Sequence, residues 1–191
     1  SSTSSFGGCL SKAEYSMATW SGRMIKPKTL TLSRGATDYL AQSYLYDSRG
    51  NIREIKRPDG FCTSYLWGYG GLYPVYKFAG KSFDSLRRIF GTSIESTDAR
   101  SLNLDLSLAD CPAEYAEYSP LAGISVHRDA AGVTTRYKYD ASGRLAESTI
   151  DGHGVVATYD YNIGNGLPNH SAENIWIDES GTQRKRSVET F

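Results

Sequence analysis

Strict alternation of apolar and polar positions is the most regular pattern along the chain. From Val133 to Tyr139, Val133, Thr135, Tyr137 and Tyr139 alternate with Thr134, Arg136 and Lys138. Upstream, Phe61, Thr63, Tyr65 and Trp67 also lie two residues apart and so share one face of a strand. A period of two places such side chains on one face of a β-strand. The pattern therefore predicts a mainly β fold of antiparallel hairpins and meanders, with strands at 39–46, 51–57, 61–67, 124–128, 133–139, 144–150 and 155–161.

Asp-x-x-Gly segments separate many of these strands. Aspartate at the first position of a type I turn can accept hydrogen bonds from amides two residues on, and glycine at the fourth can adopt the positive φ of a bulged hairpin. Each unit is thus predicted to be a strand, a turn and a strand, with most of the four glycines at positive φ. The segments are Asp47 to Gly50, Asp129 to Gly132, Asp140 to Gly143 and Asp178 to Gly181.

The alternation changes between residues 80 and 112. Ser82 can cap a short helix in which Phe83, Leu86 and Phe90 share one side, and Gly91 can end it. The sequence therefore predicts one short helical insertion around 82–90. Leucines at 102, 104, 106 and 108 have the period of a strand although leucine favours helices, so the structure of 97–112 stays open.

Four segments follow from these patterns. Residues 1–38 are predicted to start loosely at polar serines and to continue as strands, and 39–79 form a first set of hairpins. Residues 80–112 form the insertion and 113–191 a second set, with a loop around Gly164, Gly166 and Pro168. We expect these segments to form one continuous domain.

Charge and composition narrow the function classes. The chain has 191 residues with 21 basic and 21 acidic side chains, so its formal net charge is zero. No whole-chain field attracts it to phosphates or anionic lipid, and no nucleic acid partner is expected. No apolar run approaches the roughly 18 residues of a bilayer span, and the polar N-terminal serines do not form a signal peptide. We predict no membrane insertion.

Residues that could hold a metal or act as nucleophiles are scattered. Cys9, Cys62 and Cys111 have no Cys-x-x-Cys spacing, which excludes a zinc finger and a disulfide scaffold but leaves one bridge or three free thiols open. The histidines, at 127, 153 and 170, show no metal-ligand spacing. The sequence therefore predicts no metal, no cofactor and no catalytic residue.

Two stretches, Tyr44 to Ile52 and Tyr137 to Leu145, resemble the YD repeat of the Rhs family, in which a Tyr-Asp pair precedes a Gly-Arg-Leu triplet. The second stretch matches fully, whereas the first has Asn51-Ile52 in place of Arg-Leu. The segment Thr63 to Tyr69, followed by Tyr73-Pro74-Val75, is also similar to one in large YD-repeat proteins exported by Gram-negative bacteria. The resemblance covers roughly 39–78 and 113–191.

The resemblance implies a ribbon of antiparallel hairpins, which in full-length members spirals into a hollow shell around a toxin segment. Other members are associated with carbohydrate binding or cell contact. It further implies an exported, cell-surface or extracellular location, and the remainder of a parent repeat protein as partner. The chain has no Asp-Pro, on which the family's self-cleavage motif is based, and with four turns we expect it to be too short to close a shell.

Two hypotheses on function follow. The first is a non-enzymatic structural and interaction module of a larger exported protein. The alternative is a carbohydrate-binding module in which Tyr65, Trp67, Tyr69 and Tyr73 stack on sugar rings, although cross-strand packing needs such aromatic residues without any ligand. A hydrolase, the third possibility, would require a deep polar pocket with a histidine beside a carboxylate.

The last predicted strand, Arg184 to Phe191, carries alternating charge. Arg184, Lys185, Arg186 and Glu189 oppose uncontrolled stacking of strand edges but permit antiparallel pairing between copies. We therefore expect a monomer or a weak edge-paired dimer.

Overall fold

The computed structural model describes residues 2–6, 9–20, 22, 24–35, 37–164, 167–177 and 183–190. The chain divides into two compact units, Ser1–Ala113 and Glu114–Phe191. Both are built from antiparallel strands that pair in sequence order, which confirms the mainly β prediction. The helices of the described chain lack the length and apolarity needed to cross a membrane.

The first unit contains a seven-strand antiparallel meander. Each strand pairs with the one that follows it, so every connection within the meander is a hairpin. The strands are β1 (Ser2–Phe6), β2 (Cys9–Trp20), β3 (Met24–Arg34), β4 (Thr37–Tyr46), β5 (Ile52–Lys56), β6 (Cys62–Gly68) and β7 (Tyr73–Ala79).

The insertion after β7 covers one face of β6 and β7. Helix α1 (Phe83–Phe90) starts at Ser82, whose hydroxyl accepts the Ser85 amide, and ends at Gly91, as predicted. Helix α2 (Ser93–Ser96) and two 3₁₀ turns, Ala99–Ser101 and Leu106–Ala109, follow. The side chains of Phe78 and Leu86 are fully buried under this cover, and Phe90 packs with its ring centroid 5.9 Å from that of Phe78. This is the main core of the unit.

Alternation along β6 determines what the cover reaches. Cys62, Ser64 and Leu66 are buried on the covered face, whereas Thr63, Tyr65 and Trp67 are half-buried on the other, as the period of two predicts. The Ser64 hydroxyl donates to the Lys81 carbonyl at 2.8 Å, and the Tyr76 hydroxyl donates to the Leu102 carbonyl at 2.7 Å. These bonds attach the start of the insertion and its middle, at Leu102, to the sheet.

The second unit is also a seven-strand antiparallel meander. Its turns at 129–132 and 140–143 lie where the sequence predicts them, and its buried positions are small residues such as Ala116, Ser148 and Ala157. The strands are β8 (Ala113–Ser119), β9 (Gly123–Arg128), β10 (Thr134–Tyr139), β11 (Leu145–Ile150), β12 (Gly154–Gly164), β13 (Leu167–Ile177) and β14 (Gln183–Thr190).

One hairpin turn occurs four times among the described residues, each time with the same backbone hydrogen bonds. In each copy the first residue's amide donates to the carbonyl of the fifth, and the amide of the fourth, a glycine, donates to the carbonyl of the first. The glycine φ angles lie between 75° and 87°. The copies span 47–51, 57–61, 129–133 and 140–144. The second copy begins with Arg57, whereas the other three begin with aspartate. The turn at 178–181 lies outside the described residues.

We expect Gly143→Val to destabilise the chain by about 1 to 2 kcal/mol. No atom outside its immediate neighbours lies within 4 Å of a Cβ added there, so the cost comes from its φ of 75°, where a β-branched residue is strained. Thermal or urea unfolding would measure it. Gly143→Asn, which tolerates this conformation better, is the matched control, and a loss no larger for valine than for asparagine would contradict the turn assignment.

Two details differ from the sequence predictions, and the structure resolves one segment that they left open. Ser2–Phe6 is a strand rather than a loose start, because its backbone pairs with β2 at Cys9 to Ala13. The leucines of 102–108 form no strand; Asp105 instead caps the 3₁₀ turn Leu106–Ala109. The predicted loop at 164–168 is shorter, since Gly164 ends β12 and Pro168 lies within β13, paired with Ile163. The prediction of one continuous domain stays a prediction.

Candidate functional site

The insertion holds the β6–β7 hairpin through one carboxylate. Asp98 Oδ2 accepts a hydrogen bond from the Gly70 amide at 2.9 Å, while Oδ1 accepts from the backbone amide and the Nε of Arg100, both at 3.1 Å. Gly70 lies in the 3₁₀ turn Tyr69–Gly71, at a φ of 69°. Asp98 thus joins two segments that lie 28 residues apart in sequence.

Three of the four aromatic residues predicted to stack on sugars, Trp67, Tyr69 and Tyr73, have partners in the fold. The Tyr69 ring packs against the edge of Tyr73 at 5.4 Å between centroids, and the Arg100 guanidinium lies 4.4 Å from the Tyr69 centroid. The Trp67 indole N–H donates to the Ile52 carbonyl at 2.7 Å. Tyr65 shares the half-buried face of β6 with Trp67.

A cavity of about 340 Å³ opens beside this region. Its lining is mainly polar and includes Arg49, Arg53, Tyr65, Trp67 and Asp98, whereas Tyr69 and Tyr73 do not line it. The structure therefore divides the predicted aromatic set into two pairs. Within the described part of the chain no histidine lines this cavity, so it lacks the histidine–carboxylate pair that a hydrolase would require.

The pKa of Asp98 is the most strongly shifted of the described carboxyl groups. Burial tends to raise it, but hydrogen bonds from the Gly70 amide and from Arg100, together with the Arg100 charge, lower the pKa to about 2. The charged carboxylate is therefore the form that the fold stabilises.

This shift predicts an acid-dependent contribution to stability. Because the folded pKa is about 2 and the ordinary value 3.8, the contribution is complete above pH 4 and is lost as the pH falls through about 2. Solvent screening limits it to about 1 to 2 kcal/mol. Unfolding curves between pH 5 and 2 should show this loss in the wild type and less of it in Asp98→Asn. An unchanged acid profile in that variant, with Asp84→Asn as the exposed control, would contradict the prediction.

The repeat-turn aspartates accept hydrogen bonds from backbone amides in the same way in both units. Asp47 Oδ1 accepts from the amides of Arg49 and Asn51, and Asp140 Oδ1 accepts from those of Ser142 and Arg144. Asp129 accepts from Ala131 and Val133. The Arg144 amide and side chain lower the pKa of Asp140. These carboxylates therefore accept hydrogen bonds from the backbone of their own turns.

The fifth residue of the turn extends this role to the next strands. Arg144 bonds Asp140 Oδ2 at 2.7 Å and lies 4.4 Å from the Tyr161 ring centroid. In the first repeat Asn51 takes this position. Its side-chain amide donates to Asp47 Oδ2 at 3.3 Å and to the Gly71 carbonyl at 2.9 Å. The Asn-Ile variation therefore preserves the link to the carboxylate.

Groups capable of metal binding or nucleophilic attack stay apart. Among the described residues no cluster of histidine, cysteine, aspartate and glutamate could hold a metal. Cys62 and Cys111 are free thiols, and burial raises the pKa of both. His127 lies 3.7 Å from Glu114, His153 is exposed in a turn, and the side chain of His170 lies outside the described residues.

Comparison with known proteins agrees with the repeat geometry. Residues 124–156, which span β9 to the start of β12, match the family model described as RHS Repeat, so the resemblance to this family is confirmed there. No curated protein matches the chain.

Solved structures of Tc toxin complexes share the fold. The TcdB2-TccC3-TEV crystal structure is 14% identical over 93% of this chain with a TM-score of 0.52, and TcdB2-TccC3-Cdc42 is 13% identical over 93% with 0.51. The Photorhabdus luminescens Tc holotoxin pore is 12% identical over 92%, also with 0.51. This chain spans 9% of the length of each matched chain. At these identities the similarity shows the fold alone.

Proposed function

We propose that the chain is a non-enzymatic structural and interaction module, a section of an antiparallel repeat ribbon within a larger exported or cell-surface protein. The recurring hairpin turn carries this proposal, because it places each strand antiparallel beside the one before it, without a crossover. The similarity of fold to Tc toxin chains, of which this chain spans 9%, supports a place within a longer repeat protein. Its partner is then the remainder of that protein, and alone it is a monomer or a weak edge-paired dimer.

The engagement of its polar groups supports a role without catalysis. The carboxylates of Asp47, Asp98 and Asp140 accept hydrogen bonds from backbone amides, which fixes these side chains in place. The thiols of Cys62 and Cys111 have raised pKa values and so stay protonated at neutral pH. A nucleophile paired with a base is what catalysis of hydrolysis would need.

A panel of esterase, glycosidase, peptidase and phosphatase substrates tests this proposal on the full chain. We expect no turnover above the buffer rate. Turnover that co-purifies with the wild type and falls in Asp98→Asn, with the fold intact by circular dichroism, would overturn the non-enzymatic assignment.

Carbohydrate binding is the second candidate, supported by Tyr65 and Trp67 at a polar cavity of a size suited to a small ligand. Against it, the Trp67 indole N–H bonds the Ile52 carbonyl and Arg100 lies on the Tyr69 ring. We therefore expect these aromatic residues to serve packing.

A glycan array separates the two roles. We expect no specific glycan signal for the wild type, and a melting temperature lowered by Trp67→Ala because the indole packing and its hydrogen bond are lost. The control is Tyr39→Ala, because Tyr39 is 51% exposed on β4. Specific binding by the wild type that Trp67→Ala abolishes and Tyr39→Ala retains would favour the carbohydrate role.

A further inference from the structure

A groove of about 720 Å³ lies on the first unit beside the start of α1. Residues of β2 to β5 and the segment 82–84 line it. Four cationic side chains, Lys26, Lys28, Arg53 and Lys56, belong to this lining, and we call the site the basic groove.

The four cationic side chains of the basic groove outnumber its two acidic ones. Lys28 and Lys56 are exposed and form no ion pair within the described part of the chain. Glu54, one of the two acidic lining residues, is buried and accepts the Phe83 amide at 2.7 Å. The other, Asp84, lies 3.7 Å from Arg87 on its own helix. Both carboxylates are thus directed to local partners.

Two contacts hold the remaining cations in place. The Arg53 guanidinium lies 4.2 Å from the Phe83 ring centroid, and the Lys26 ammonium 5.9 Å from that of Tyr46. Stacking on a ring leaves the N–H groups of a guanidinium free to bind a carboxylate in the same plane. Arg53 is also the bulged residue of β5, since Glu54 pairs with Leu45 and Ile52 with Tyr46. The β-bulge therefore positions the Arg53 side chain.

The basic groove also offers an apolar surface. Leu45 lines it with 46% of its surface exposed, next to Ala18, Pro27 and Trp20. Cations around an exposed apolar side chain are complementary to a chain that carries both carboxylates and an apolar group. A peptide has this composition, whereas a sulfated or uronic-acid polysaccharide supplies the charge without an aliphatic side chain.

We propose that the basic groove binds a short acidic peptide segment of a partner protein, with its carboxylates on Lys28, Arg53 and Lys56 and an apolar side chain on Leu45. This assignment rests on the interaction role proposed above and names its surface. It fails independently of that role, because enzymatic turnover and peptide binding are separate measurements.

Fluorescence anisotropy of the full chain with a labelled peptide of six glutamates around a central leucine tests the assignment. We expect saturable binding that weakens at least tenfold in Lys28→Glu and in Lys56→Glu, and severalfold in Leu45→Ser. Arg34→Glu is the matched control, because it makes the same charge change in β3 outside the groove. If a reversed charge lowers folding, Lys28→Gln and Lys56→Gln should each still weaken binding and reduce its salt dependence.

Several outcomes would overturn the assignment. One is the absence of saturable binding at low salt, and another is equal weakening by Arg34→Glu, which would indicate attraction to the whole surface. Unchanged affinity for a peptide with alanine in place of leucine would contradict the proposed contact between the peptide's apolar side chain and Leu45. Binding of a heparin oligosaccharide at the same lysines, without binding of the peptide, would replace the peptide with an anionic polysaccharide.

Discussion

Replacing Leu86 with alanine is expected to destabilise the chain by about 2 to 5 kcal/mol, the range measured for fully buried leucines in other cores. Leu86 has no exposed surface and lies on α1, the helix that covers β6 and β7. Removing its side chain leaves a cavity beneath the helix that the paired strands cannot collapse to fill. Urea unfolding monitored by tryptophan fluorescence would measure the loss.

The matched control for Leu86 is Ile89→Ala on the same helix. Ile89 is 37% exposed, so its truncation removes less buried surface and should cost well under half as much. Similar losses at the two positions would show that α1 does not pack onto the sheet through the side that carries Leu86. A small loss at both would indicate that the strands are stable without the insertion.

The turns and strands were predictable because their signals are local. Aspartate and glycine three residues apart contain the acceptor and the positive φ that the turn needs, so Asp140 and Gly143 identify it without any tertiary information. The turn at 57–61 has the same hydrogen bonds although Arg57 occupies the first position. Its glycine at the fourth position, Gly60, was the signal that could have placed it in the same group.

Two features of the fold could not be predicted from periodicity. The leucines at 102–108 alternate as in a strand, yet the hydrogen bonds of Asp105 to the Ser107 amide and of Tyr76 to the Leu102 carbonyl select a different backbone. The bulges at Arg53 and Ala146 depend on which residues face each other across β4–β5 and β10–β11. Both outcomes depend on partners distant in sequence.

The candidate site shows the same division. That Tyr65 and Trp67 share one face of β6 follows from the period of two, and that part was predicted. The partners of Trp67 and Tyr69 were not predicted, because they are distant in sequence. Ile52, which accepts the Trp67 hydrogen bond, lies 15 residues away, and Arg100, which lies on the Tyr69 ring, is 31 residues away. The Asp98 link to Gly70 has no sequence signal of its own, since the residues lie in different elements.

Glu54→Ala is expected to have the second-largest effect, a loss of about 1 to 3 kcal/mol. Glu54 is 6% exposed, and its carboxylate accepts the amide of Phe83, the first residue of α1. Alanine leaves that buried amide without its acceptor, which costs the desolvation of the N–H group. Glu54→Gln keeps a carbonyl oxygen and most of the volume, so its loss should be smaller. Denaturant unfolding of the three proteins would rank them.

The repeat supplies a second comparison for Glu54. Glu147 follows the Asp140 turn at the same distance as Glu54 follows the Asp47 turn, but it pairs with Lys138 at 2.7 Å on the surface. A surface pair contributes at most about 1 kcal/mol, so Glu147→Ala should be milder. Equal losses would mean that this glutamate supports the repeat itself. Only a larger loss at Glu54 agrees with its role in attaching the insertion, and with it the wall of the basic groove, to β5.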